Sequence, residues 1–145
     1  MANERSVIIK QLGSDMRDSV KSSRGYESDL VEVKLGIQSF DYFAMRPAIG
    51  YWMFMDTKDE EYLDDNRYRM LNFIIYGYTD TDGLDEFDSI YQLADDVEKF
   101  LMSDDWTYTH SSLLGDITVT VGGTDNQRCM FDLVVQVQYV QELNK

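Results

Sequence analysis

The sequence predicts an α+β domain: a largely antiparallel sheet with two helices packed on one face, in the order α-β-β-β-α-β-β. Two segments repeat apolar residues at helical spacing, and five others read as strands rich in β-branched and aromatic residues. Polar joins between strands favour hairpins, which places helices on one side of a sheet. With 145 residues and no internal repeat, low-complexity segment or linker, one domain is expected over residues 1–145.

Taken in order, residues 5–21 place Ile8, Leu12, Met16 and Val20 at steps of four, with Ile9 widening the stripe, which predicts an amphipathic helix. Gly25 stands just beyond, where a helix is expected to have ended. "LVEVKLGI" then alternates Val31, Val33, Leu35 and Ile37 with polar or small residues, as a half-buried strand does.

The run "RPAIGYWMF" holds the only proline, Pro47, followed by eight residues without charge from Ala48 to Met55. Proline belongs at the start or edge of a strand, so a strand is expected from Ala48 to Met55. The run is apolar at odd and even positions alike, which implies that both of its faces are covered. "DTKDEEYLDDN", residues 56–66, reads as a long acidic loop: either a solvated hairpin tip or an excursion across a neighbouring surface. "RYRMLNFIIYGYTD" resumes strand character.

From Leu84 the period changes, and Phe87, Ile90, Tyr91, Ala94, Val97 and Leu101 predict one helical face. Asp85, Glu86 and Asp88 suit the positive end of that helix. After a polar stretch with Trp106 and Tyr108, "DITVTVGG" and "RCMFDLVVQVQYV" predict two strands paired as a hairpin across "GGTDNQ". In the second, Phe131, Leu133, Val135, Val137 and Tyr139 share one side.

The residue pattern calls for no cofactor and no metal, and an enzyme is not expected. A single His110 and a single Cys129 cannot make a Cys/His zinc site or an internal disulfide. Cys129 reads as a small buried hydrophobe and suits a reducing cytoplasm. Gly122 and Gly123 fit a turn, because neither phosphate-loop pattern is present. "DTDGLDEFD" resembles a calcium loop, but aligning Gly83 leaves Tyr78 and Ser89 where the first and last ligands belong. Its carboxylates are better explained as a turn and a helix start. The carboxylates of 56–66 have no evident apolar pocket to set an acid/base pair apart.

The formal net charge is −14, from 27 carboxylates against 13 Lys and Arg, which argues against specific binding to nucleic acid. No apolar run reaches the roughly 20 residues of a membrane helix, and the N-terminus does not read as a signal peptide. The aromatic surplus around the two long strands points to a subunit interface, with Tyr51, Trp52, Met53, Phe54, Tyr76 and Tyr78 as candidates.

The layout resembles the tail terminator, or tail completion, proteins of long-tailed bacteriophages. The resemblance rests on the N-terminal helix, the strand at the "P-A-I" step, the long strand "RYRMLNFIIYGYTD", the helix "LDEFDSIYQLADDVEKFLMSD" and the closing "VQVQYV". It spans nearly the whole chain but is one of pattern and size. It implies a virion protein assembled in the host cytoplasm. Copies would form a ring, with a hexamer implied, that caps the tail tube protein, ends its polymerisation and meets the connector or neck protein at the head. In contractile tails the ring can also engage the sheath protein. DNA would pass through without specific binding, which makes Asp56, Asp59, Glu60, Glu61, Asp64 and Asp65 candidates for lining the bore or reaching a neighbouring subunit, and no catalytic residue carries over. The rival readings are an acidic binding module that mimics DNA to inhibit a nucleic-acid-binding protein, or another head–tail joining protein.

Overall fold

A computed structural model describes residues 4–30, 32–36, 43, 46–63, 66–80, 88–122 and 128–142. They form helix α1 (Glu4–Ser19), strands β1 (Glu32–Leu35), β2 (Ala48–Leu63) and β3 (Asn66–Asp80), helix α2 (Asp88–Leu101), and strands β4 (Ser112–Gly122) and β5 (Arg128–Glu142). The expected α+β class and element order hold. The sheet order is β1-β2-β3-β5-β4, antiparallel throughout except for the parallel pair β1/β2. No helix of the described residues is long and apolar enough to cross a membrane.

Both helices form because their apolar stripes meet one sheet face. Ile8, Leu12 and Met16 of α1 share a single core with Ile90, Leu93, Ala94, Val97, Phe100 and Leu101 of α2. Glu4 and Asp88 lie in the first turns, and Arg17 and Lys99 in the last, each matching the helix dipole. The stripe on α2 is rotated from the expected one: Tyr91 is exposed, while Leu93 and Phe100 are buried. Phe87 lies outside the described residues.

The connections are tied by polar groups. After α1 a short 3-10 turn ends at Gly25, whose φ of 90° is the left-handed conformation glycine tolerates. Asp96, only 3% exposed on α2, accepts hydrogen bonds from the backbone N–H of Glu27 (3.1 Å) and Ser28 (2.7 Å). Trp106 is buried beside Phe100 and Tyr108, and its Nε1 donates to Ser112 Oγ at 2.8 Å. What reads as a polar stretch is therefore a packed bridge from α2 to β4.

The helix-facing side of the sheet carries Ile49 and Tyr51 from β2, Leu71, Phe73 and Ile75 from β3, and Phe131, Leu133, Val135 and Val137 from β5. Gly77 makes room there: the Phe131 ring of the neighbouring strand lies so close that a Cβ on residue 77 would sit 1.9 Å from it.

β2 is longer than expected. The sequence ends it at Met55 and makes 56–66 a loop, but the strand runs on to Leu63 and pairs there with Asn66. Within the acidic segment, residues 56–58, 62–63 and 66 have ladder partners, 59–61 sit in a second register shift between Lys58 and Tyr62, and 64–65 lie outside the described residues. Ladder hydrogen bonds satisfy the backbone of the paired residues without any apolar alternation. The first turn of α1 reaches Asp56 through Arg5.

The run that lacks alternation also contains a register shift. Met53 pairs with Phe73 and Met55 with Asn72, leaving Phe54 as the extra residue of a β-bulge. Even-numbered β2 residues point away from the helices before the bulge and toward them after it. Asp56 consequently pairs with Leu71 on the helix-facing side.

Candidate functional site

The side of the sheet opposite the helices is built in rows across the strands. At one end Phe43 covers Ala48 and Tyr78, its ring 5.1 Å from the Tyr78 ring, with Gly50 beneath both. Next comes Tyr76, half-buried and packed against this small cluster. The following row is apolar: Trp52 pairs with Ile74, which pairs with Val134. After it comes a polar row, in which Gln136 Nε2 donates to Asn72 Oδ1 at 2.7 Å and Asn72 Nδ2 donates to Met55 O at 3.2 Å.

This face exposes large apolar surface. Trp52 is 44% exposed, and Phe54 and Met55 of the bulge are 47% and 51% exposed. Leu113 of β4, opposite Gln136, reaches 63%. An exposed aromatic and aliphatic row bordered by a paired amide row has the form of a protein-docking surface: an apolar centre and a polar rim.

The six residues expected at an interface divide. Trp52 and Phe54 are exposed, and Tyr76 stands half-buried beside Trp52. Tyr51 and Met53 face the helices instead. Tyr51 is 5% exposed, its Oη donates to the Ile9 carbonyl at 3.0 Å, and it fills the space that Gly13 leaves on α1. Burial pushes its phenol pKa up. Tyr78 is covered by Phe43. Sequence reading missed Ile74, Val134 and Met55; alternation from Tyr76 reaches Ile74, alternation between Asp132 and Gln136 reaches Val134, and Met55 follows once the bulge is placed.

The expected acidic set also divides. Asp56 sits inside an ion-pair cluster on the helix-facing side. Its Oδ2 accepts from Arg5 (2.9 Å) and from Tyr139 Oη (3.0 Å), and its Oδ1 accepts from Arg69 Nε (3.0 Å). It is a structural anchor and not part of an open acidic surface, because the bulge turns it toward α1. Asp59, Glu60 and Glu61 belong to the outer part of β2, and Asp64 and Asp65 lie outside the described residues.

Other candidate groups are placed plainly. Cys129 is fully buried in the core. His110 is almost fully exposed, 3.9 Å from an equally exposed Asp104. The calcium-like loop falls largely outside the described residues, and among those described no three His, Cys, Asp or Glu side chains converge as a metal site would require. No family model matches the chain, and no curated protein matches it.

Proposed function

We propose that the chain is a structural virion protein of the tail-terminator type, whose copies form a ring capping the tail tube and ending its growth. The ring then offers the surface on which the head, with its connector or neck protein, is joined. The observation that carries this reading is the apolar row Trp52–Ile74–Val134 with Phe54 and Met55 beside it, left open on a sheet whose other face takes both helices. A surface of that kind suits repeated protein contacts. The layout of elements, which resembles that family along nearly the whole chain, supports contacts of the ring-forming kind.

The charge fits the same role. A ring through which DNA moves gains from carboxylates, which repel phosphates and keep contacts weak. Asp59, Glu60, Glu61, Asp64 and Asp65 are the residues proposed for the bore or for reaching the neighbouring subunit; Asp56 is not.

The test is assembly. Light scattering after size exclusion should find a ring-sized oligomer, and negative-stain microscopy with the cognate tail tubes should show tubes capped at one end and fixed in length. Tubes that grow unaltered in the presence of the protein would remove the reading. A stable one-to-one complex with a DNA-handling enzyme, weakened by salt, would favour the acidic binding module instead. Reversing Asp59, Glu60, Glu61, Asp64 and Asp65 to Lys should impair DNA delivery and leave capping intact.

A further inference from the structure

The two margins of the sheet are guarded differently. β4 pairs with β5 alone, so its outer edge is bare among the described residues from Ser112 to Gly122. Its run "ITVTV", residues 117–121, is uncharged, β-branched and free of proline. Asp116, beside the register shift that separates Leu114 from Ile117, is the one charge in the strand. Sheets normally guard such an edge with lysine, proline or a covering segment, because unpaired N–H and C=O groups recruit another strand.

On the other margin β1 accompanies β2 only from Ala48 to Tyr51. Gly36, at a φ of 116°, then donates its N–H to the Tyr51 carbonyl at 2.7 Å, and residues 37–42 lie outside the described residues. From Trp52 to Leu63, β2 has no described neighbour on that side. This margin starts apolar and its sequence then runs through Lys58, Asp59, Glu60 and Glu61, while Asp56 is taken up by Arg5, Arg69 and Tyr139.

We infer that β4 of one copy adds to the free edge of β2 in the next copy, so that the sheet continues from subunit to subunit. This rests on the ring reading and names the contact that builds the ring. β4 offers 11 residues, and β2 offers what remains of its 16 after the four paired with β1. The two edges lie on opposite sides of one sheet, which is the head-to-tail arrangement that propagates and can close into a ring. Charge selects the partner edge. In a chain of net charge −14, an uncharged strand can approach the acidic margin of another copy without adding like charge, whereas β2 against β2 would repel. β4 against β4 would stop at two copies and leave both β2 margins bare.

Thr118 and Thr120 supply the test, because both are exposed on the face away from the helices and flank any strand added to β4. Two variants are compared with the parent by light scattering over a concentration series and by counting capped tail tubes: Thr118→Glu with Thr120→Glu, and Thr118→Lys with Thr120→Lys. Thermal melts confirm that each variant is folded. The glutamate pair should raise the concentration needed for assembly at least about tenfold, and the lysine pair should assemble as well as the parent or better, since only the former meets like charge. Equal weakening by both pairs would place β4 against β4 and overturn the proposal. Parental assembly by both would show a ring built through other surfaces, leaving the ring reading intact and this contact refuted. A parent that neither oligomerises nor caps tubes would remove the ring reading, and this contact with it.

Discussion

Arg69 donates its Nε proton to Asp56 Oδ1 at 3.0 Å across the β2–β3 ladder, with both side chains only 11% exposed. The same carboxylate takes Tyr139 and Arg5 on its other oxygen, so one residue joins α1, β2, β3 and β5. Removing one partner from a buried pair leaves the other charge uncompensated. Asp56→Ala should destabilise the fold by about 2–4 kcal/mol in urea unfolding, with an unchanged denaturant slope. Adding Arg69→Met should recover part of that loss, since it removes the orphaned charge. A loss below about 0.5 kcal/mol for Asp56→Ala would show the cluster to be incidental.

Tyr139 gives the cluster a pH signature. Burial, then the hydrogen bond to Asp56 and that carboxylate's charge, push the Tyr139 pKa up to about 12. The folded state therefore holds this proton more tightly than the unfolded chain, whose tyrosines titrate near 10. The associated stability is fully present below about pH 10 and drains away as pH rises toward about 12. The stability difference between parent and Tyr139→Phe should be flat at neutral pH and should move against the parent across that alkaline window. Parallel curves would contradict the assignment. The other buried tyrosines cancel in the difference.

Gly77 is fixed by its neighbour. The Phe131 ring occupies the space of a side chain at residue 77, so Gly77→Ala forces the ring or the strand to move. A cost of about 1–3 kcal/mol is expected, despite alanine's lower backbone entropy in the unfolded chain. Combining Gly77→Ala with Phe131→Leu should cost less than the sum of the two single changes, a non-additivity that a thermal or urea series can read.

The docking surface predicts the opposite behaviour. Trp52 and Phe54 are exposed, so Trp52→Ser and Phe54→Ser should change monomer stability by no more than about 0.5 kcal/mol. Assembly on tail tubes should nevertheless fall sharply, because aromatic residues at the centre of an apolar patch dominate binding. Tyr51→Phe, which removes the hydrogen bond to Ile9, should behave in reverse: about 1 kcal/mol less stable and normal in assembly.

Much of this fold can be read from the chain because its periods are clean. Ile8, Leu12 and Met16 mark α1, and Phe131 through Tyr139 mark one face of β5, since each pattern reports a single buried side. β2 resisted for two physical reasons. Its first residues are apolar on both faces, because Ile49 and Tyr51 meet the helices while Phe43 covers Ala48 and Gly50, and a bulge at Phe54 then reverses the phase. Past Asp56 the residues are mostly charged and carry no apolar period, so the letters read as a loop. The interface candidates failed at the same place. Tyr51 and Trp52 are neighbours in sequence and look equivalent, yet the pleat sends one into the helices and the other into solvent. Asp56 could not be told from Asp59 without the bulge that turns it inward.

The length of β2 has a mechanical consequence. From Asp56 to Leu63 the strand keeps pace with β3 from Leu71 to Asn66, about 17 Å past the anchor at roughly 3.3 Å per residue of β3. β3 accompanies it to Asn66, and β5 accompanies β3 to Glu142. The projection is a three-stranded cantilever clamped at its root by Asp56, Arg69, Tyr139 and Arg5. A load applied at its tip is carried along backbone hydrogen bonds to the clamp and from there into α1. Loosening the clamp would let the tip sag without disturbing any residue at the tip itself.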